Sequence, residues 1–188
     1  MDAPEIELHV DPTLVHTILD QFALSPSGIH GATHWARVLA NGTQLAALTG
    51  ARVKVVQLFA LFHDARRIND GSDPDHGRRG ADLAREKLGE WFELSGADMD
   101  RLWDACAYHS DGRTDHPDVT VQTCWDADRL DLPRVGVSVD KAYLCTRAAK
   151  QRELREPAGL RGLRLEVPDF YREAWGLSYT PPAWARTR

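Results

Sequence analysis

Between Ala51 and His63 the chain reads Val53, Val55, Val56, Leu58, Phe59, Leu61 and Phe62, with Arg52, Lys54 and Gln57 as its polar interruptions. A segment apolar on nearly every side cannot lie on a surface, so other elements must enclose it. A buried strand and a buried helix both satisfy that demand, and the length of the run favours a central helix. The run ends in His63-Asp64. A carboxylate is costly to bury unless it faces a cation or donors, so whatever surrounds the end of this helix must answer that charge.

The remaining elements read as helices around it. Asp11-Pro12 opens a stripe of Leu14, Val15, Ile18, Leu19 and Phe22, with Asp11 as N-cap and proline at the first helical position. Ser25-Pro26-Ser27-Gly28 breaks it. Ile29 to Leu48 carries Trp35, Val38, Leu39, Leu45 and Leu48 at helical spacing, and Asn41-Gly42 marks an interruption. The polar stretch from Ile68 to Gly77 reads as a loop, followed by a helix from about His76 to Phe92. Further helices are expected over Asp98–His109, Val119–Leu130 and Asp140–Lys150. No alternating segment is joined to a hairpin signal, so the fold class is all-α. After Glu156-Pro157, aromatic residues are scattered among prolines and glycines, which reads as a C-terminal segment laid over the core. The expected organisation is a lead-in helix over 1–27, a core over 28–150, and an extension of the same domain over 151–188.

A chain of 188 residues is long enough to bury a core without disulfides or metal staples. Cys106, Cys124 and Cys145 are odd in number and lack a CxxC spacing, which fits free thiols in a reducing compartment. No apolar run could span a bilayer, and Met1-Asp2-Ala3-Pro4-Glu5 lacks the basic and apolar regions of a signal peptide. A cytoplasmic location and no membrane partner are therefore expected. The formal charge of −5 argues against broad nucleic-acid binding. No Walker A loop, GxGxxG, HExxH or GxSxG is present.

His34, His63, Asp64, His76, His109 and Asp128 follow one another on these helical segments. Imidazole and carboxylate together form a mixed nitrogen and oxygen shell suited to Mn²⁺, Fe²⁺, Co²⁺ or Zn²⁺ rather than to Mg²⁺ or Ca²⁺. Each residue alone has a plain structural role open to it. His34 stands beside a core tryptophan, His63-Asp64 ends a helix, His76 borders a loop, and His109 follows Cys106 by one turn. Asp126 and Asp131 compete with Asp128 as neighbouring acids. The ordered set carries the weight. His30, four residues before His34, is left outside the ligand set as a helix-start residue.

The phrases Gly31-Ala32-Thr33-His34-Trp35-Ala36-Arg37-Val38, Leu61-Phe62-His63-Asp64 and Asp126-Ala127-Asp128-Arg129-Leu130 resemble the HD superfamily of metal-dependent phosphohydrolases. The resemblance covers most of the span from Gly28 to Lys150. It implies an HD-like helical bundle with metal ligands His34, His63, Asp64 and Asp128. His76 and His109 stand where two-metal members add ligands, so two ions are expected, the second weaker because His76 is loop-borne. The implied activity is hydrolysis of a nucleotide or other small phosphate ester by a metal-bound hydroxide, with Asp64 as the catalytic carboxylate. A di-iron oxygenase and a non-catalytic ligand-binding domain are the alternatives. Arg37, Arg66, Arg67 and Arg129 surround the motif and are expected to grip a phosphoryl substrate, since guanidinium forks onto phosphate oxygens. For any one of them, pairing with Asp70, Asp73 or Asp75 is the competing role. Ala65-Arg66-Arg67 replaces the Glu-Asp pair of (p)ppGpp hydrolases, and the Gly-Tyr-Pro signature of cyclic-di-GMP phosphodiesterases is absent.

Overall fold

The computed structural model describes residues 7–187; the acidic stretch read above over residues 1–5 lies outside them. The described residues form nine α-helices and no sheet. The central element is α3 (Val53–Phe62), in which every side chain from Val55 to Phe62 is buried. It packs against α2 (Ala32–Thr49), α4 (His76–Glu86), α5 (Gly96–Tyr108) and α6 (Val119–Arg129). Enclosure on all sides is what its composition demands, since each buried Val, Leu or Phe contributes roughly 1.5–3 kcal/mol. The same enclosure fixes the direction of the dyad at its end.

Helix α2 runs straight through Asn41-Gly42, where an interruption is expected from sequence. Tertiary packing explains the glycine. A Cβ at Gly42 would stand 2.5 Å from Val56 Cγ1 and 3.3 Å from the Ala127 Cβ, so the missing side chain lets α2 approach α3 and α6 closely. Asn41 adds to the joint by donating from Nδ2 to the Ala127 carbonyl at 3.1 Å. The N-terminal α1 (Thr13–Leu19) begins under the Asp11 carboxylate, which accepts the Thr13 N–H at 2.8 Å. Ser95 and Asp118 cap α5 and α6 by accepting from the N–H groups of Asp98 and Thr120.

Besides the interruption at Asn41-Gly42, three readings differ from the structure. Asp140–Lys150 holds only a 3-10 turn at Lys141–Tyr143. The buried Asp126 carboxylate accepts the N–H groups of Cys145 and Thr146 and the Thr146 hydroxyl, each at 2.7 Å. Those amides are therefore taken by a side chain and are lost to an α-helical ladder. Conversely, the region around Glu156-Pro157 is helical. α7 (Arg152–Arg164) carries Pro157 inside it and packs on the 3-10 turn Leu132–Val135. Pro157 removes one backbone donor, and burial of Ala158 against a small cluster with Leu45, Leu130 and Leu144 favours the helix nonetheless. The predicted helix over His76–Phe92 ends early, at Glu86, and the chain then turns. Beyond α7, short α8 (Phe170–Glu173) and α9 (Ala183–Arg186) follow. Tyr171 and Trp175 are buried in the main core, where His16 Nε2 meets the Trp175 carbonyl at 2.6 Å. Among the described residues, no helix is long and apolar enough to cross a membrane.

Candidate metal centre

The end of α3 projects His63 as the helix C-cap, and the tightened turn that follows, closed by Arg67 N–H on the Asp64 carbonyl, carries the Asp64 carboxylate. α2 supplies His34 from its first turn, α4 supplies His76 as its first residue, α5 ends at His109, and α6 supplies Asp128 from its last turn. His76 is buried and helical, so the expectation of a loop-borne ligand is corrected.

The six side chains come together as two triads. One is His34, His63 and Asp128; the other is Asp64, His76 and His109. His34 Nε2 lies 3.0 Å from His63 Nε2 and 3.3 Å from Asp128 Oδ1. His76 Nε2 lies 2.9 Å from His109 Nε2 and 3.2 Å from Asp64 Oδ1. Asp64 joins the halves: its Oδ2 is 3.6 Å from both His34 Nε2 and His63 Nε2, while Oδ1 turns toward His76 and His109.

The outer nitrogens decide what the inner ones offer. His63 Nδ1 faces the Phe59 and Ala60 carbonyls at 3.1 and 3.2 Å, and His109 Nδ1 faces the Cys106 carbonyl at 2.8 Å. His76 Nδ1 faces the Asp73 carbonyl. His34 Nδ1 meets Asp131 Oδ2 at 2.6 Å. All of these partners only accept, so each Nδ1 carries a proton, and the neutral tautomer consistent with that presents the Nε2 lone pair inward. Burial pushes the His63 imidazole down to about 3, which keeps its Nε2 unprotonated near neutrality. Burial pushes the Asp64 carboxyl up; charged imidazoles at His63, His34 and His109 would outweigh it and hold the group well below the usual range, and with their lone pairs turned inward that part falls to a cation. For Asp128 the same opposition to burial would come from a protonated His34, with Arg134 as the standing cation nearby.

Two pairs of facing lone pairs and two buried carboxylates therefore converge. Asp64 Oδ1 and Asp128 Oδ1 are buried with no hydrogen-bond partner. Such an arrangement is repulsive unless a cation sits within it. The spacing suits one, because two donors each about 2.1 Å from an ion and at right angles stand about 3 Å apart. The donor set thus fits divalent transition ions, up to one per triad, and this fit rests on the orphaned oxygens and facing imidazoles.

Residues 31–132, more than half of the chain, match the HD domain family. The chain belongs to the HD domain family. Comparison with curated proteins and with solved structures finds no match in either. Within this HD domain the three neighbouring acids have separate positions. Asp128 faces the imidazoles, Asp126 clamps Cys145 and Thr146, and Asp131 stands behind His34. Asp131 also accepts from Arg37 Nε at 2.7 Å. Burial opposes its charge, but Arg37 and His34 hold the Asp131 carboxyl down to about 2.

The arginines divide in a way that sequence proximity does not disclose. Arg37 is buried against Asp131, and Arg129 is buried with its guanidinium donating to the Tyr143 and Arg113 carbonyls, both at 2.7 Å. Arg129 is thus engaged with the protein's own acceptors, whereas Arg37 Nη1 is buried with no hydrogen-bond partner, and neither guanidinium is paired with the donor atoms of the two triads. Arg66 donates to Gln21 Oε1 at 2.7 Å. Arg67 alone of the four reaches the cluster, with Nη1 3.2 Å from His76 Nε2 and 3.5 Å from Asp64 Oδ1. Arg134, unmarked in the sequence reading, lies 3.8 Å from Asp128 Oδ1. Its spacing of six from Asp128 gives no helical signal, because the helix ends between them. His30 lies near the cluster and pairs through Nδ1 with Asp70 at 2.9 Å.

Proposed function

We propose that this HD domain is a metal-dependent phosphohydrolase acting on a nucleotide or another small phosphate ester. The observation that carries the reading is the division of one buried carboxylate, Asp64, between two histidine pairs whose Nε2 lone pairs face each other. Bound divalent ions supply water activation and charge neutralisation at a phosphoryl group. His34, His63 and Asp128 would hold one ion and His76 and His109 a second, with Asp64 shared between them. Asp131 and four backbone carbonyls fix the imidazole tautomers, so the inward lone pairs need no reorganisation. Arg67 and Arg134 stand at the cluster as cations able to pair with phosphate oxygens. Sequestration of the cluster from bulk water strengthens each of these interactions.

The test is phosphate release from a panel of nucleotides and phosphate monoesters. It uses full-length protein stripped with chelator and reloaded anaerobically with Mn²⁺, Fe²⁺, Co²⁺ or Zn²⁺. Release that depends on the ion and is absent in Asp64→Ala supports the reading. Oxygen uptake by the iron-loaded protein, with no phosphate release from any ester, would replace it with the oxygenase reading.

A further inference from the structure

The sixfold set of donors is not symmetrical in charge, because a guanidinium lies against one triad. Arg67 Nη1 is 3.2 Å from His76 Nε2 and 3.5 Å from Asp64 Oδ1, two of the three donor atoms of the second triad. An arginine N–H only donates, so it addresses the same lone pairs an ion would need. The side chain is buried and is pinned from behind, with Nε donating to the Asn69 carbonyl at 3.2 Å and Nη2 to the Gly71 carbonyl at 2.9 Å. It is therefore held in place rather than free to swing aside. Among the described residues no arginine or lysine stands as close to the first triad: Arg134 approaches Asp128 Oδ1 only to 3.8 Å, while Arg37 is separated from it by Asp131.

We propose that Arg67 is a built-in competitor for the second ion, setting the chain to hold one divalent ion tightly and a second only weakly. This rests on the metal-site reading above and adds a cause that ligand identity lacks. His76 and His109 are buried, helix-borne or helix-capping, and fixed by their carbonyl partners, so ordering them costs little on binding. Charge repulsion from Arg67 therefore distinguishes the two halves, together with the Asp131 carboxylate that backs His34 in the first. A loosely held second ion would let its availability govern how many ions the chain carries.

The experiment is Mn²⁺ titration of the full, chelator-stripped chain, with free Mn²⁺ read by its electron paramagnetic resonance signal. His109→Ala identifies the phase of the isotherm that belongs to the second triad. Arg67→Gln and Arg67→Met, the latter keeping a buried apolar stem, remove the charge; Arg67→Lys keeps it. Expected is a second-phase affinity about tenfold or more tighter in the two neutral variants, with the first phase unchanged and Arg67→Lys close to wild type. Thermal melting of the stripped proteins identifies any variant that has not folded, and the comparison then uses the other neutral variant. An unchanged or weakened second phase in the neutral variants, alongside two phases in the wild type, overturns this inference while leaving the metal-site reading standing. Absence of any tight Mn²⁺ in the wild type overturns both.

Discussion

Adding one methyl group at Gly80 should separate the two halves of the metal centre. Gly80 lies on α4, one turn after His76, and its face rests on the end of α3. A Cβ there would come closer to the Phe62 carbonyl oxygen than the 3.0 Å that real Cβ atoms keep, and would stand 3.2 Å from the His63 carbonyl oxygen. Both obstacles are backbone, so neither can rotate away. Replacing glycine by alanine inside a helix favours the helix by about 1 kcal/mol, whereas overpacking a rigid contact costs about 1–3 kcal/mol. With only backbone to yield, the cost lies toward the upper end, and Gly80→Ala should lose about 1–2 kcal/mol net. For a chain of this length that lowers the melting temperature by about 2–8 °C. Relief comes by α4 moving off α3, which carries His76 away from Asp64 while His34, His63 and Asp128 stay where α2, α3 and α6 hold them. Gly96→Ala is the control, since a Cβ at that helical position meets nothing within 4 Å. The assay pairs thermal melting with Mn²⁺ stoichiometry. Gly80→Ala should bind the first ion as wild type does and lose the second, and Gly96→Ala should keep both with equal or higher stability. A Gly80→Ala protein as stable as wild type, with both ions retained, would refute the argument that close backbone contact positions α4.

Asp64→Ala should strip metal and abolish turnover while circular dichroism shows unchanged helical content, because the carboxylate faces imidazoles rather than the apolar core; full metal and turnover in the variant would make the dyad structural. Asp131→Asn should weaken ion binding about 10–100-fold by loosening the His34 tautomer, read by competition with a chromogenic chelator; wild-type affinity would show that the 2.6 Å contact does not orient His34. The stripped protein should lose stability on acidification. The His63 imidazole falls from 6.5 to about 3 on folding, so unfolding takes up a proton, and stability present above pH 6.5 declines as pH falls toward 3. Asp131, lowered from 3.8 to about 2, adds a further loss with the same sign below pH 3.8. Urea unfolding at pH 7.5 and pH 5 checks this, and equal or greater stability at pH 5 contradicts the burial of a neutral His63.

The sequence by itself determined the elements whose pattern depends on nearby residues. The apolar run from Val53 to Phe62 reads as a central helix because only enclosure satisfies so many apolar side chains, and α3 has those bounds. The order of His34, His63-Asp64, His76, His109 and Asp128 was likewise visible, since ligand chemistry belongs to residue type. What only the tertiary structure decided are the matters set by partners distant in the chain. Asp126, Asp128 and Asp131 are alike in sequence. They part because one faces the amides of residues 145 and 146, one the imidazoles, and one His34 and Arg37. Arg37, Arg67 and Arg129 all flank the motif, yet a guanidinium's role is fixed by the acceptors that meet it, which lie 94 residues away for Arg37 and 14 and 16 away for Arg129. The helix expected over Asp140–Lys150 fails for the same reason, as a carboxylate from α6 takes its amides, and α7 forms across Pro157 because burial outweighs one lost donor. Periodicity reports how a segment meets its own neighbours along the chain; which charge meets which across the core is settled only when the helices pack.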